Sequence, residues 1–237
     1  MALPLILAMT AAEMADSSSI SHQTAWMACH FSPYSLGITN IPKSLPSGSI
    51  LILNDRIPCQ GHSPDLAAQQ LSEALTRLGC ESLLLDFQRP SEAESEAMVS
   101  FLLEGLSCPV AVSELFAETR DCPVFLSPSA LHVPLEEYLA PWKGREIWLE
   151  AALCQEDIIV TESGTTFSPQ FPPDRLDGGF FDPKLCCNYK TEVSTDRVRF
   201  TLFDTCDTLR EKMKKAQALG VSRAVGLFQE LHPLLKV

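Results

Sequence analysis

Leu83-Leu84-Leu85-Asp86-Phe87-Gln88 is a short apolar run that stops at a carboxylate. A run of this length with no polar position inside it describes a strand buried on both faces, as in a parallel sheet covered by its own crossover helices. Working outward, seven further runs share the pattern, at residues 25–30, 50–55, 110–114, 124–127, 147–150, 199–204 and 224–230. Most are followed by a helix-like or loop segment, and such crossovers deliver every strand end to one edge of the sheet. Eight is the strand count of a closed β/α barrel, whose chemistry sits at that edge. The expected fold is therefore α/β, a single (β/α)8 TIM-like barrel over residues 1–237 with an antiparallel β insertion at 154–197, between the sixth and seventh units.

The insertion is predicted from a break in the alternation. Asp157-Ile158-Ile159-Val160-Thr161, Glu162-Ser163-Gly164 and Thr165-Thr166-Phe167 read as a hairpin. A loop with Pro169, Pro172, Pro173, Gly178 and Gly179 follows, then a strand-like stretch at 185–193. Elsewhere, Ser63 with Pro64 and Asp65 starts a helix whose stripe is Leu66, Leu71, Leu75 and Leu78, closed by Gly79. Ser91 with Glu94 reads as a capping box for a second helix over 91–106, and 131–139 and 209–219 are also helical, the latter ended by Gly220. The N-terminal run at 2–9 has no Lys or Arg before it and acidic Glu13 and Asp16 after it. It reads as an ordered strand that pads or opens the barrel rather than a signal peptide. Asp16-Ser17-Ser18-Ser19 reads as a turn or linker.

A net charge of −12 argues against nucleic-acid and anionic-membrane partners, which require clustered Lys and Arg. The densest basic group, Arg210, Lys212, Lys214 and Lys215, accompanies Glu211 on a helix and reads as a solvated face. Nine cysteines, an odd number without a C-x-x-C pair, suit a reducing cytoplasmic setting with free thiols. No run reaches the ~20 apolar residues of a membrane span. No nucleotide, serine-elbow or metalloprotease motif occurs, so no cofactor and no metal is implied, although His30, Asp55 and His62 make a metal site conceivable. No oligomeric state is assigned.

Side chains alternate along a strand, so Leu84, Asp86 and Gln88 share a face, as do Val110, Val112 and Glu114, and Trp148 and Glu150. If these ends point into the barrel mouth, Asp86, Glu114 and Glu150 converge, with Asp204 and Glu230 from the other side. Crowded carboxylates raise one another's pKa, which prepares one to act as acid and another as base. Asp86 and Glu114 are the expected catalytic pair. The expected substrate-binding set is His30, Asn54, Gln88, Glu150, Tyr189, Asp204 and Glu230. His30 is placed on the face of Trp26 and Ala28; Asn54 and Arg89 are cast as hydrogen-bond donors, and Trp26, Tyr34 and Trp148 as stacking faces for sugar rings.

The stretch from Ser82 to Gln88 resembles the strand that carries the D-x-x-D-x-D-x-E motif of the chitinase-like glycoside hydrolases of family 18, which are β/α barrels. Asp86 falls on the last Asp of that motif and Gln88 on its Glu, while Leu84 stands where the preceding Asp would be. In that family the Glu protonates the leaving oxygen, the Asp orients the acetamido group, and a later tyrosine, here matched to Tyr189, helps hold it. The resemblance implies a small-molecule or oligosaccharide ligand. Glutamine has no proton to give, so a catalytically degenerate, glycan-binding barrel is the leading expectation. An active hydrolase or lyase using Asp86 and Glu114, and a non-enzymatic interaction scaffold, are its rivals.

Overall fold

The computed structural model describes residues 3–16, 21–170 and 176–235. The Ser17-Ser18-Ser19 linker and the loop prolines Pro172 and Pro173 lie outside the described residues. The strands are β1 (Leu5–Met9), β2 (Gln23–Phe31), β3 (Ile38–Thr39), β4 (Ile50–Asn54), β5 (Ser82–Asp86), β6 (Val110–Ser113), β7 (Val124–Leu126), β8 (Ile147–Glu150), β9 (Gln155–Thr161), β10 (Gly164–Pro169), β11 (Phe180–Asp182), β12 (Cys187–Val193), β13 (Arg197–Phe203) and β14 (Arg223–Leu227). The helices are α1 (Ala11–Asp16), α2 (Pro64–Leu78), α3 (Ala93–Gly105), α4 (Glu114–Ala117), α5 (Leu135–Leu139), α6 (Cys206–Ala218) and α7 (Phe228–Leu235).

The larger sheet has the order β1-β14-β8-β7-β6-β5-β4-β2-β3, with β1 also paired to β2, which closes an eight-stranded parallel barrel with β3 as an appended antiparallel strand. A separate five-stranded sheet, β10-β9-β13-β12-β11, is the antiparallel insertion. One expected stave changes place. The run at 199–204 belongs to β13 of the insertion, pairing antiparallel with β9 and β12. Leu5–Met9 supplies the missing barrel strand, lying parallel to β2 from Ile6 opposite Gln23 to Met9 opposite Trp26. An apolar run has no mark of whether its partners run parallel or antiparallel, so the two were interchangeable from sequence.

The chain forms two compact units, one of Leu5–Ser127 with Arg145–Trp148, the other of Pro128–Gly144 and the chain from Leu149 onward with the residues before Leu5. In the first unit Leu51, Leu53, Leu83, Leu85, Val110 and Val112 pack with Leu71 and Leu75 of α2 and Val99 and Leu102 of α3 in one core. The alternate residues Ile52, Leu84 and Ala111 are also buried, on the opposite face of the strands, inside the barrel. Phe31, Phe87 and Phe116 continue the outer core, Phe87 meeting each of the others edge-on at 5.8 Å.

Local chemistry sets the helices around this layer. Ser63 Oγ accepts from Leu66 N at 3.2 Å, Pro64 occupies the first turn of α2, and Gly79 closes it at φ +63°, a conformation that a Cβ disfavours. α3 starts two residues later than expected. Its capping box is formed by Glu92 with Ser95, and Ser91 instead bonds Glu96. The helix expected over 131–139 is confined to α5, followed by a 3-10 turn at Ala140–Trp142.

In the second unit, Leu131, Cys154, Cys187 and Leu202 form a small core. The buried Glu156 carboxylate holds His132 Nδ1 at 2.8 Å and His132 N at 3.0 Å, and the imidazole stacks on Phe167 at 4.1 Å, which fixes the 128–134 segment to the β9–β10 hairpin. The basic face of α6 is only partly solvated. Lys212 is buried and ion-paired with Asp204, whereas Arg210, Lys214 and Lys215 pair at the surface with Asp207, Glu211 and Glu136.

Candidate active site

The register of three adjacent parallel strands decides which side chains meet. His30 of β2 lies opposite Asn54 of β4, and Asn54 lies opposite Asp86 of β5, so the three form one row at the carboxyl ends of neighbouring strands. Neighbouring strands are ~4.8 Å apart, so the row spans about 10 Å. His30 reaches it through a bulge. Trp26 is level with Leu51 but Cys29 with Leu53, which leaves one extra residue in β2. The bulge reverses the alternation. Trp26 and Cys29 both pack in the outer core, and His30 therefore shares the inner face with Asn54 and Asp86 rather than the face of Trp26.

Each member of the row is held. His30 Nδ1 is 2.7 Å from Phe31 O, a carbonyl that can only accept, so this nitrogen carries the hydrogen. Asn40 Nδ2 then donates to the Nε2 lone pair at 3.0 Å. Asn54 Nδ2 donates to Met27 O at 3.0 Å while its Oδ1 accepts from Arg56 N at 3.2 Å. Gln88 Nε2 donates to Asp86 Oδ1 at 2.6 Å. Burial raises the pKa of Asp86, the Gln88 amide opposes that rise, and the charge of Asp55 adds to it. Asp55 is itself buried, accepting from Gln88 N at 3.0 Å and Arg89 N at 2.8 Å. That carboxylate fixes where the chain leaves β5, and thus where Gln88 stands.

Several expected residues fall elsewhere. Leu84 is level with Ala111 and Leu85 with Val112, so one step further Ser113, not Glu114, stands on the level of Asp86. Val110 and Val112 face the helices, and Glu114 is the first residue of α4. The parity of a short strand cannot be read without its partner. Arg89 donates from Nε to Asp55 O at 2.9 Å and from Nη2 to Arg56 O at 3.1 Å, bracing two loops instead of facing a ligand. His62 turns both ring nitrogens to carbonyl oxygens, of Cys59 at 3.2 Å and Ser32 at 2.8 Å, so neither nitrogen is turned toward a metal shared with His30 and Asp55. Among the described residues no group of three or more His, Cys, Asp or Glu side chains is arranged to hold a metal ion.

Trp26 and Trp148 are buried, with Nε1 donated to Asn40 O and Glu146 Oε1, each at 2.8 Å, and neither offers a stacking face. Tyr34 is 96% exposed. In the second unit, Asp204 has a fully buried side chain that accepts from Cys154 N, Thr208 Oγ1 and Lys212 Nζ, which leaves it no face for a ligand. β14 stops at Leu227, so Glu230 belongs to α7 rather than to a strand, and its carboxylate accepts from Leu153 N at 3.1 Å. Glu150 ends β8, and Tyr189 lies on β12 with its ring 5.8 Å from that of Phe180. Asn40 and Ser113 were not expected. Asn40 sits at φ +60° in a loop and carries no local signal for its contact with His30.

No family profile and no curated protein sequence matches the chain. Solved structures do. An N-acetylglucosaminidase of glycoside hydrolase family 18 from Paenibacillus barengoltzii matches with a TM-score of 0.58 at 9% identity, over 98% of this chain and 98% of that one. The fold is that of the family 18 glycoside hydrolases. A chitinase from Chromobacterium violaceum ATCC 12472 matches with a TM-score of 0.55 at 8% identity, over 95% of this chain and 93% of that one. The spore cortex-lytic enzyme SleL from Bacillus cereus matches at 0.57 and 9% identity, over 98% of this chain and 74% of that one. At such identities the likeness is one of backbone, and it agrees with the fold resemblance carried by the β5 stretch.

Proposed function

We propose that the protein is a glycoside-hydrolase-like barrel that binds a carbohydrate at the carboxyl edge of its strands and does not cleave it. The row His30, Asn54 and Asp86 with Gln88 is the proposed site. The observation that carries this reading is the 2.6 Å hydrogen bond from Gln88 Nε2 to Asp86 Oδ1. Glycosidic cleavage needs a group that protonates the leaving oxygen. An amide has no such proton, and this one is tied to the carboxylate beside it. What remains is a polar row of fixed donors and acceptors, which suits recognition of hydroxyl and acetamido groups.

The ligand class is inferred from the matched structures, a chitinase and an N-acetylglucosaminidase. Oligomers of β-1,4-linked N-acetylglucosamine are the first probe. The rival acid, Glu114, is one residue away from the position level with Asp86, which disfavours a two-carboxylate mechanism. Nine free cysteines support a reducing, cytoplasmic setting. Among the described residues no helix is long and apolar enough to cross a membrane.

Titration calorimetry with the oligomer, run beside an assay on chromogenic glycosides, tests the reading. The expected result is binding without turnover, and Asp86→Asn weakens binding by about 1.5–3 kcal/mol through a lost hydrogen bond to a charged group. Turnover by the wild type that Glu114→Gln abolishes would overturn the reading and restore Glu114 as the acid.

A further inference from the structure

We infer that Cys80 and Cys108 are a thiol pair that closes to a reversible disulfide by exchange with a low-molecular-weight disulfide such as oxidised glutathione. The bond is a covalent clasp at the amino edge of the sheet, at the opposite ends of the strands from the row of His30, Asn54 and Asp86.

The two cysteines hold equivalent places. Cys80 follows α2 and stands two residues before β5, and Cys108 follows α3 and stands two residues before the neighbouring strand β6. Leu83 is level with Val110, and Leu83 N donates to Pro109 O at 3.0 Å. Counting back, Glu81 is level with Cys108, and Cys80 is one residue away. With strands ~4.8 Å apart and a rise of ~3.3 Å per residue, their Cα atoms are about 6 Å apart. A disulfide bridges Cα atoms about 4.4–6.8 Å apart.

Both side chains enter one cleft. Gly79 ends α2 at φ +63°, and Cys80 N donates to Leu75 O at 3.0 Å, a helix-ending bond that turns Cys80 back onto the last turn of α2. Cys108 has the outward parity of Val110 and Val112. Both cysteines pack against the outer core, and both line a cleft of about 140 Å³ with Leu75, Thr76 and Leu106. Each is only half-buried, so a small disulfide has access to either. Burial raises the pKa of both thiols, and the nearby Cys108 raises that of Cys80 further, so the resting pair is protonated. The next cysteine along this edge is out of reach. Val112 is level with Val124, which places Cys122 two residues from the level of Cys108, about 8 Å at the same spacings. Its sulfur lies 3.9 Å from Arg145 Nη2 instead.

In the exchange, the thiolate of one cysteine attacks a sulfur of oxidised glutathione and releases one glutathione thiolate. The thiolate of the second cysteine then attacks the protein-bound sulfur of the mixed disulfide and releases the other. Two protein thiols are oxidised, one glutathione disulfide is reduced to two thiols, and the cysteine protons end on them. Excess reduced glutathione reverses both steps.

The test incubates the reduced native protein with oxidised glutathione, blocks the remaining thiols and maps the linkage by peptide mass spectrometry. The expected product in the wild type and in Cys122→Ser is a peptide pair joined through Cys80 and Cys108 and separated by dithiothreitol. The bond also closes the chain from 80 to 108 in the unfolded state, so the oxidised wild type should gain about two orders of magnitude in folded-to-unfolded ratio in urea. Cys80→Ser, which cannot form the bond, should gain nothing from the same treatment. Absence of the joined pair in the wild type, or linkage of Cys80 or Cys108 to a third cysteine instead, overturns the inference. A joined protein with an unchanged urea midpoint overturns the clasp.

Discussion

Removing the ammonium of Lys212 should reveal how much the buried ion pair with Asp204 contributes to the fold. The Asp204 carboxylate is 0% exposed and the Lys212 side chain 10% exposed, with Nζ 2.9 and 2.7 Å from the two carboxylate oxygens. In Lys212→Met the stem is replaced by a chain of similar volume, and Asp204 keeps only Cys154 N at 3.2 Å and Thr208 Oγ1 at 3.1 Å. Stranding one partner of a buried pair costs about 3–5 kcal/mol, and the two remaining donors favour the lower end. For a chain of this size about 3 kcal/mol lowers Tm by roughly 6–12 °C. Urea unfolding followed by circular dichroism measures the loss directly. The double variant Asp204→Asn with Lys212→Met, which strands no charge, should recover most of it, giving a coupling well above the scatter of ~0.5 kcal/mol for independent sites. A loss below about 1 kcal/mol in Lys212→Met would refute the reasoning and return Lys212 to the solvated face.

Phe87→Ala, which empties the centre of the Phe31, Phe87 and Phe116 contact, should cost about 3–5 kcal/mol in the same unfolding assay. Gly79→Ala, at φ +63°, should cost about 1 kcal/mol from backbone strain alone, and a neutral result would mean that the chain relaxes there. Because burial raises the pKa of Asp86 in the folded state, its contribution is fully present below the unfolded carboxylate pKa and is lost as pH rises through the raised value. Asp86→Asn should therefore flatten the fall in stability above the ordinary carboxylate range; an unchanged pH profile would contradict that environment. Burial also pushes the thiols of Cys29, Cys154 and Cys187 up to about 12, so a thiol reagent at neutral pH should leave these three unmodified until the protein unfolds and then count nine.

The sequence by itself determined the class of fold, because apolar runs separated by helix-like segments imply strands joined by crossovers that cover both faces of a sheet. It also determined α2, whose ends are written locally in Ser63, Pro64 and Gly79, and the insertion hairpin, announced by Glu162-Ser163-Gly164. Gln88 beside Asp86 was legible from residue order alone. Only the tertiary structure decided that 199–204 leaves the barrel and that Leu5–Met9 enters it, since apolar runs are alike until their partners are known. The same holds for the site. A single extra residue in β2 turns His30 toward Asn54 and Asp86, and a single step of parity turns Glu114 away. Strand side chains alternate with a period of two, so a shift of one residue exchanges core for cavity, and register is fixed by pairing with distant segments rather than by local sequence.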